Sequence, residues 1–360
     1  MDISFVLPGI PVHVTGGTKI VLEYANRLVE KFPDTCVNLC YLNDPSVRRM
    51  GKVPLPLSIK RLINRARTQI HPRWFDLNKR INRRCIFSID DNSIPDADWV
   101  FATAASTADG VARLSSSKGK KGYLIQDYET WELDDEGLID TYRLGMTNVV
   151  IAEWLKKIVD KATGTDDCVC ISNPVDTGVF YPQADIQRKS HTVAVLYHKG
   201  VHKGFPDAWE AIRLTKEKIP DLSVEMFGAC VPPAGLPDWV HYTKDASTDQ
   251  LRRIYSSAAV YVCASVNEGY GLTCVEAMAC GCALVVTDFA GSKEYATDGI
   301  NSVVVPVGDI DAIARGVIAV LADDVKRESL ASEGIATAQR LNWETAVSKF
   351  AEVLGITTCC

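Results

Sequence analysis

Short apolar runs alternate with amphipathic stretches along almost the whole chain, and this alternation limits the fold more than any other feature. A strand covered on both faces reads as a continuous apolar run, whereas a covering helix repeats apolar residues every three or four positions. "ISFVL" at 3–7 is such a run; after the loop "HVTGGT" comes a helix with Val21, Tyr24, Ala25, Leu28 and Phe32 on one face. "CVNLCYL", "DWVFATA", "KGYLIQD", "TNVVI" and "DCVCISNPV" continue the series, with helices near 106–116 and through "AEWLKKIV". The pattern predicts parallel α/β layers.

The alternation breaks once. Between about 174 and 190 the segment "PVDTGVFYPQADIQRKS" loses its period and gains proline, glycine and charge, as a linker does. A second series follows: "HTVAVLYH", a helix over 204–218, "LSVEMFG", a helix over 248–257, "AVYVCAS", "CALVVTD", "NSVVVPV", and helices near 309–322, 326–340 and 343–354. The expected architecture is α/β, with two doubly wound Rossmann-like domains facing a cleft and ligands at the carboxyl ends of the strands. The domains are placed at 1–175 and 191–340, joined by a linker at 176–190. A terminal helix and tail at 341–360 are expected to pack back on the first domain.

No window reaches the roughly 18 apolar residues of a membrane span, and "MDISFVLPGI" lacks a basic leader region. Most of the twelve cysteines sit in apolar runs, with no CxxC pair and no zinc spacing. Free thiols used as small hydrophobes point to a reducing, cytoplasmic setting. The terminal Cys359–Cys360 pair reads as a disordered tail or as a lipidation signal.

Residues 48–84 hold twelve Lys or Arg against the single acid Asp76, a net +11 in a chain whose total is −6. Ile59, Leu62, Ile63, Ala66 and Ile70 recur there at helical spacing, with Lys60, Arg61, Arg65 and Arg67 between them and Leu55, Leu57, Trp74 and Phe75 nearby. Two readings stand. The apolar stripe packs on its own domain, or the segment docks on an anionic membrane surface from the cytoplasmic face. Nucleic acid is not an expected partner, because no recognition motif or aromatic stacking series accompanies the charge.

Glu268 and Glu276 punctuate "SVNEGYGLTCVEAMACG". Ser265-x-x-Glu268 and Thr273-x-x-Glu276 both have capping-box spacing. The first fits poorly, since Gly269 and Gly271 follow Glu268; the second remains plausible. Read for chemistry, a strand leads through a Gly-x-Gly turn to a helix start, where free amides and the helix dipole favour an anion. A phosphate there would leave Glu276 to accept from one diol and Glu268 from another. Two carboxylates around a phosphate suit a nucleotide-sugar.

The motif "EGYGLTCVEAMACG", with "GGTKIVLEYANRL", "SNPVDTGVFYP" and "DFAGSKEYATDGINSVVVPVGD", resembles the family-4 retaining glycosyltransferases of GT-B fold, also called glycosyltransferase group 1. "YLIQDYETWE" with "WLKKIV" is similar to a rhamnosyltransferase subgroup of surface-polysaccharide assembly. The resemblance gives the donor to the second domain and the acceptor to the first. It implies that Glu276 holds the ribose and Glu268 the donor sugar, with the amides of Tyr270, Gly271 and Leu272 near the sugar and diphosphate. Lys203 would neutralise the diphosphate, and Gly16 and Gly17 would bring backbone to the phosphates. "YHKGVHKG" departs from the family by placing His198 where an Arg is usual, so the second cation is weaker or comes from Lys199 or His202.

On the acceptor side, Gln126, Asp127 and Glu129 end a strand, and Asp127 is the candidate to orient an acceptor hydroxyl, with an Asx turn or cap as its structural alternative. Lysine and helix amides can balance a diphosphate, so neither a metal nor another cofactor is expected. The leading expectation is transfer from a UDP-, GDP- or dTDP-linked sugar to a glycan or lipid-linked acceptor, with retention. A nucleotide-sugar 2-epimerase of the same fold and a non-catalytic nucleotide-sugar binder are the alternatives.

Overall fold

The computed structural model describes residues 1–43 and 56–356. Arg48, Arg49, Lys52, Leu55, Cys359 and Cys360 lie outside the described residues. The chain divides into two compact units: residues 1–171 together with the chain from Val347 on, and residues 172–346.

The first unit is built on seven strands: β1 (Asp2–Leu7), β2 (Cys36–Leu42), β3 (Asn82–Ile86), β4 (Trp99–Ala102), β5 (Lys120–Ile125), β6 (Thr147–Val150) and β7 (Val169–Cys170). Their order is β3-β2-β1-β4-β5-β6-β7, with every neighbouring pair parallel. The second unit has β8 (Lys189–Leu196), β9 (Ser223–Gly228), β10 (Val240–Lys244), β11 (Ala258–Cys263), β12 (Ala283–Thr287) and β13 (Ser302–Val305), again all parallel, in the order β10-β9-β8-β11-β12-β13. Each is a doubly wound Rossmann-like sheet. Strand order reverses beside β1 in the first unit and beside β8 in the second, which puts the ligand-binding crevice of such a sheet at the exits of β1 and β4 or of β8 and β11.

The helices are α1 (Gly16–Lys31), α2 (Leu57–Ile70), α3 (Ala105–Ala112), α4 (Asp135–Tyr142), α5 (Glu153–Thr163), α6 (Phe205–Lys218), α7 (Thr248–Ser257), α8 (Leu272–Ala279), α9 (Ile310–Leu321), α10 (Asp324–Arg340) and α11 (Trp343–Leu354). The central strands are the apolar runs of the sequence: β11 and β12 are buried at every position. Three elements lack that signature. β3 ("NRRCI") and β10 ("VHYTK") are edge strands with charged or polar residues, which also discourage pairing with another chain. α4 is a short helix with only Leu138, Thr141 and Tyr142 buried.

The segment expected as a linker is tied into the second unit. Arg188 donates to Tyr255 O at 3.2 Å, to Cys280 O at 2.6 Å and to Ala258 O, holding the last carbonyls of α7 and α8. The ten cysteines among the described residues are free thiols.

At the chain's end, Phe350 of α11 packs in the first unit against Tyr24 at 4.7 Å, Phe101 at 5.2 Å and Phe5 at 6.1 Å between ring centroids. Trp99 Nε1 donates to Leu354 O at 3.1 Å. Truncating a fully buried aromatic of this kind removes its transfer energy and leaves a cavity. Phe350→Ala is therefore expected to lower stability by about 3–5 kcal/mol, read from urea unfolding; a loss below about 1 kcal/mol would show that this end of the chain contributes little.

Candidate functional site

In the second unit, the exits of β8, β11 and β12 converge. After β8 the chain runs through His198 and Lys199 into a 3-10 turn at Val201–Lys203. The amides of Val266 and Asn267, beyond β11, donate to His202 O at 2.8 and 3.3 Å. Thr287, which ends β12, donates its hydroxyl to Ser265 O at 2.6 Å. The 3-10 turn Ala290–Glu294 stands against the Glu268–Gly269 backbone.

Two glycines make this convergence possible. Gly204, at φ +58°, lies so close to the end of β11 that a Cβ would sit 1.8 Å from Ala264 O. Gly271, at φ +94°, starts α8 over the Tyr295 hydroxyl, which a Cβ would approach to 2.5 Å. Both need the left-handed backbone and the missing side chain.

Lys203 Nζ meets Glu268 Oε2 at 2.8 Å, with the side chains 24% and 10% exposed. Glu268 Oε1 accepts from the Ser265 hydroxyl. Both oxygens are thus engaged, and the carboxylate is held in one orientation beside the start of α8. That helix has no side-chain cap and no acid in its first turn; the Cys274 amide donates to Gly271 O at 3.0 Å, so the amides of Leu272 and Thr273 are the ones left to face an anion. Glu276 is the fifth residue of α8 and is buried. Tyr270 is buried against Tyr295, ring centroids 5.6 Å apart, while Leu272 is half-buried.

The capping-box reading fails at both sites. Ser265-x-x-Glu268 is a side-chain pair on a loop. Thr273 lies inside α8, because Gly271 is the N-cap, so it cannot head a box with Glu276. Spacing pointed to Ser265, but toward the wrong kind of bond; Thr287 and Tyr295 carried no signal of their own.

His198 is neutral at neutral pH. Burial, then the charges of Lys203 and His202, holds its pKa below the usual imidazole value, and Nδ1 accepts from the Gly200 amide at 2.9 Å. It therefore supplies a hydrogen-bonding edge and no second cation. Lys199 and His202 are exposed beside it, with the His202 ring 5.6 Å away.

In the first unit, Gly16 and Gly17 form the first turn of α1, and Gly17 lies against the Gln126 side chain. Asp127 Oδ1 accepts from the Tyr128 amide at 2.8 Å. Glu129 caps a helix: its carboxylate accepts from Ala105 N, and Glu132 accepts from Ser106 N at 2.9 Å, so the two acids close the start of α3. Burial pushes the Glu129 carboxyl up to about 7.

Residues 183–337 match the family model "Glycosyl transferases group 1", a span that contains Lys203, Glu268, Glu276 and all three convergent loops. The match lies within the second unit. It is 31% identical over 111 residues to O-antigen chain mannosyltransferase B of Escherichia coli, covering 31% of this chain and 29% of that one. It is 28% identical over 223 residues to phosphatidyl-myo-inositol mannosyltransferase of Mycobacterium tuberculosis, covering 57% and 58%. The chain thus spans under two thirds of the length of these curated relatives. The crystal structure of Anabaena HepE with UDP and glucose superposes at a TM-score of 0.74, 15% identity, and 99% and 100% coverage. At that identity the likeness is one of fold, and the two Rossmann-like units are the GT-B fold.

Two outcomes check this geometry. Gly271→Ala should destabilise the second unit by about 1–3 kcal/mol, the range for a strained backbone position, measured by thermal melting. Because the folded chain binds the Glu129 proton more tightly than the unfolded chain does, that contribution is complete below about pH 4.5 and lost as pH rises through about 7. The fall in melting temperature across this window should shrink in Glu129→Gln; an unchanged fall would contradict the assignment.

Proposed function

We propose that the protein moves a hexosyl-type sugar, rhamnosyl included, from a nucleoside-diphosphate donor to a glycan or lipid-linked acceptor in cell-surface glycan assembly. The observation that carries this reading is the Lys203–Glu268 pair, held over the uncapped start of α8 at the point where the strand order of the second sheet reverses. The mannosyltransferase names of the relatives and the UDP and glucose of the fold neighbour favour a UDP- or GDP-linked donor, with dTDP as the third candidate.

The assignment of roles follows the chemistry. The diphosphate lies on the leading amides of α8 and on Lys203, whose ammonium has three donors and can serve Glu268 and a phosphate together. As the bond from the anomeric carbon to the diphosphate oxygen lengthens, negative charge grows on that oxygen, and the fixed ammonium and amides stabilise it without reorganising. Glu268, oriented by Ser265, accepts from the donor sugar's hydroxyls, and Glu276 accepts from the ribose. His198, neutral, donates a hydrogen bond where the family usually has a charge. Asp127 is assigned the acceptor hydroxyl and Gly16–Gly17 the approach to the phosphates. Departure and attack on the same face of the sugar give retention, and the work is done at the cytoplasmic face of a membrane.

Lys203→Ala should lower turnover by about 10²–10³-fold, the usual effect of removing one preorganised donor. Ser265→Ala should lower it less, by freeing Glu268 to rotate. Activity should survive EDTA; loss restored by manganese would sink the metal-independent reading. Donor supplied alone should neither epimerise at C2 by NMR nor remain merely bound once acceptor is added. Either outcome would move the protein to one of the alternative classes.

A further inference from the structure

Helix α2 is turned inside out. Its two buried residues are Asn64 and Thr68, one turn apart, with the Thr68 hydroxyl bonded back to Asn64 O at 3.0 Å. At about 100° per residue, Ile59, Leu62, Ala66 and Ile70 fall on an arc roughly opposite that pair. Exposure agrees: Leu62 is 67% exposed, Ile70 49% and Ile59 43%. Arg65 borders the arc on one side and Arg67 on the other, with Arg61 and Lys60 further round toward the buried pair. The Arg61 and Arg65 guanidiniums stand over the Phe87 ring at 5.1 and 5.8 Å. Among the described residues no carboxylate pairs with these four cations. Ile63, at the edge of the arc, is half-buried, while Ile59, Leu62 and Ile70 are exposed, so most of the stripe is not packed on its own domain, the first of the two readings its sequence allows.

Beside the stripe, a groove of about 530 Å³ runs between α2 and β3. Its lining mixes the polar side chains of Arg65, Gln69, Arg84 and Ser93 with the aliphatic ones of Leu62, Ala66 and Ile86. A lining that combines two guanidiniums with aliphatic side chains suits a molecule that carries both a phosphate and a hydrocarbon chain. A second copy of this chain fits the face badly, because a twofold contact would set the cationic borders of one α2 against those of the other. Nucleic acid would engage the cations and leave the stripe in water.

We propose that α2 and the adjacent groove form a docking site for an anionic lipid bilayer. Ile59, Leu62 and Ile70 enter the boundary between headgroups and acyl chains, and the long side chains of Lys60, Arg61 and Arg67 reach lipid phosphates beside the stripe. The Arg65–Arg84 groove seats the phosphodiester of one lipid, with its chain along Leu62, Ala66 and Ile86. This deepens the membrane part of the proposed function and is independent of whether the protein transfers sugar.

The test is co-sedimentation of the full chain with vesicles of phosphatidylcholine alone or mixed with phosphatidylglycerol. The expected result is binding to the mixed vesicles only. Ile59→Ser with Leu62→Ser should abolish it at an unchanged melting temperature, since both side chains are exposed. Arg61→Gln with Arg67→Gln should weaken it by roughly 30-fold, the effect of two cations near an anionic surface. For the groove, calorimetry should detect monomeric short-chain phosphatidylglycerol, undetectable after Arg65→Gln with Arg84→Gln, whereas inorganic phosphate should give no comparable heat. Thermal stabilisation by nucleotide-sugar, read on the same samples, registers a failure of the donor reading separately. No binding to mixed vesicles, or binding that survives the serine pair, would overturn the proposal. So would a concentration-dependent dimer that the serine pair dissolves. Short-chain lipid heat that persists in the glutamine pair would overturn the groove assignment, as would an equal response to inorganic phosphate.

Discussion

A parallel sheet cannot join one strand to the next by a tight turn, and that constraint organises everything else in this protein. The chain leaves each strand at its carboxyl edge and crosses over, most often through a helix, to re-enter at the other edge, so every strand exit in a sheet lies on the same side. In the second unit this brings the segments after β8, β11 and β12 within hydrogen-bonding distance, although Lys203, Glu268 and Thr287 are far apart in sequence. The fold gathers the polar residues, and the two positive-φ glycines bring the backbones close enough for the contact.

The Lys203–Glu268 pair is best understood as orientation rather than stability. Two partly buried charges lose hydration that their attraction only partly returns, so such a pair adds little net stability. What it gains is a carboxylate fixed on both oxygens and an ammonium fixed in space before any ligand arrives. Removing Lys203 would leave Glu268 with the Ser265 hydroxyl as its remaining side-chain partner among the described contacts. The neutral His198 fits the same logic, because a second cation there would compete with Lys203 for Glu268.

Much of this was legible in the sequence, for a physical reason. Central strands of a doubly covered sheet must be apolar throughout, so β1, β11 and β12 announce themselves. Edge strands have one free side and tolerate "NRRCI" or "VHYTK", which resemble loops. The motif around Glu268 and Glu276 was recognisable, but its internal bonding was not: capping-box spacing describes both acids, and only Gly271 at positive φ shows where α8 begins. Glu129 looked like part of an acceptor site and caps α3. For α2, periodicity established a stripe of apolar residues without saying which way it faces. That depends on Asn64 and Thr68 being the side chains turned inward, which is a tertiary fact.

The central claim is that a donor's diphosphate lies on Lys203 and the leading amides of α8. The most direct test is a crystal structure of the chain soaked with UDP, GDP or dTDP. The account predicts the diphosphate of one of them within hydrogen-bonding distance of Lys203 Nζ, with the ribose at Glu276. A nucleotide bound at any other strand edge, with the start of α8 left empty, would contradict it.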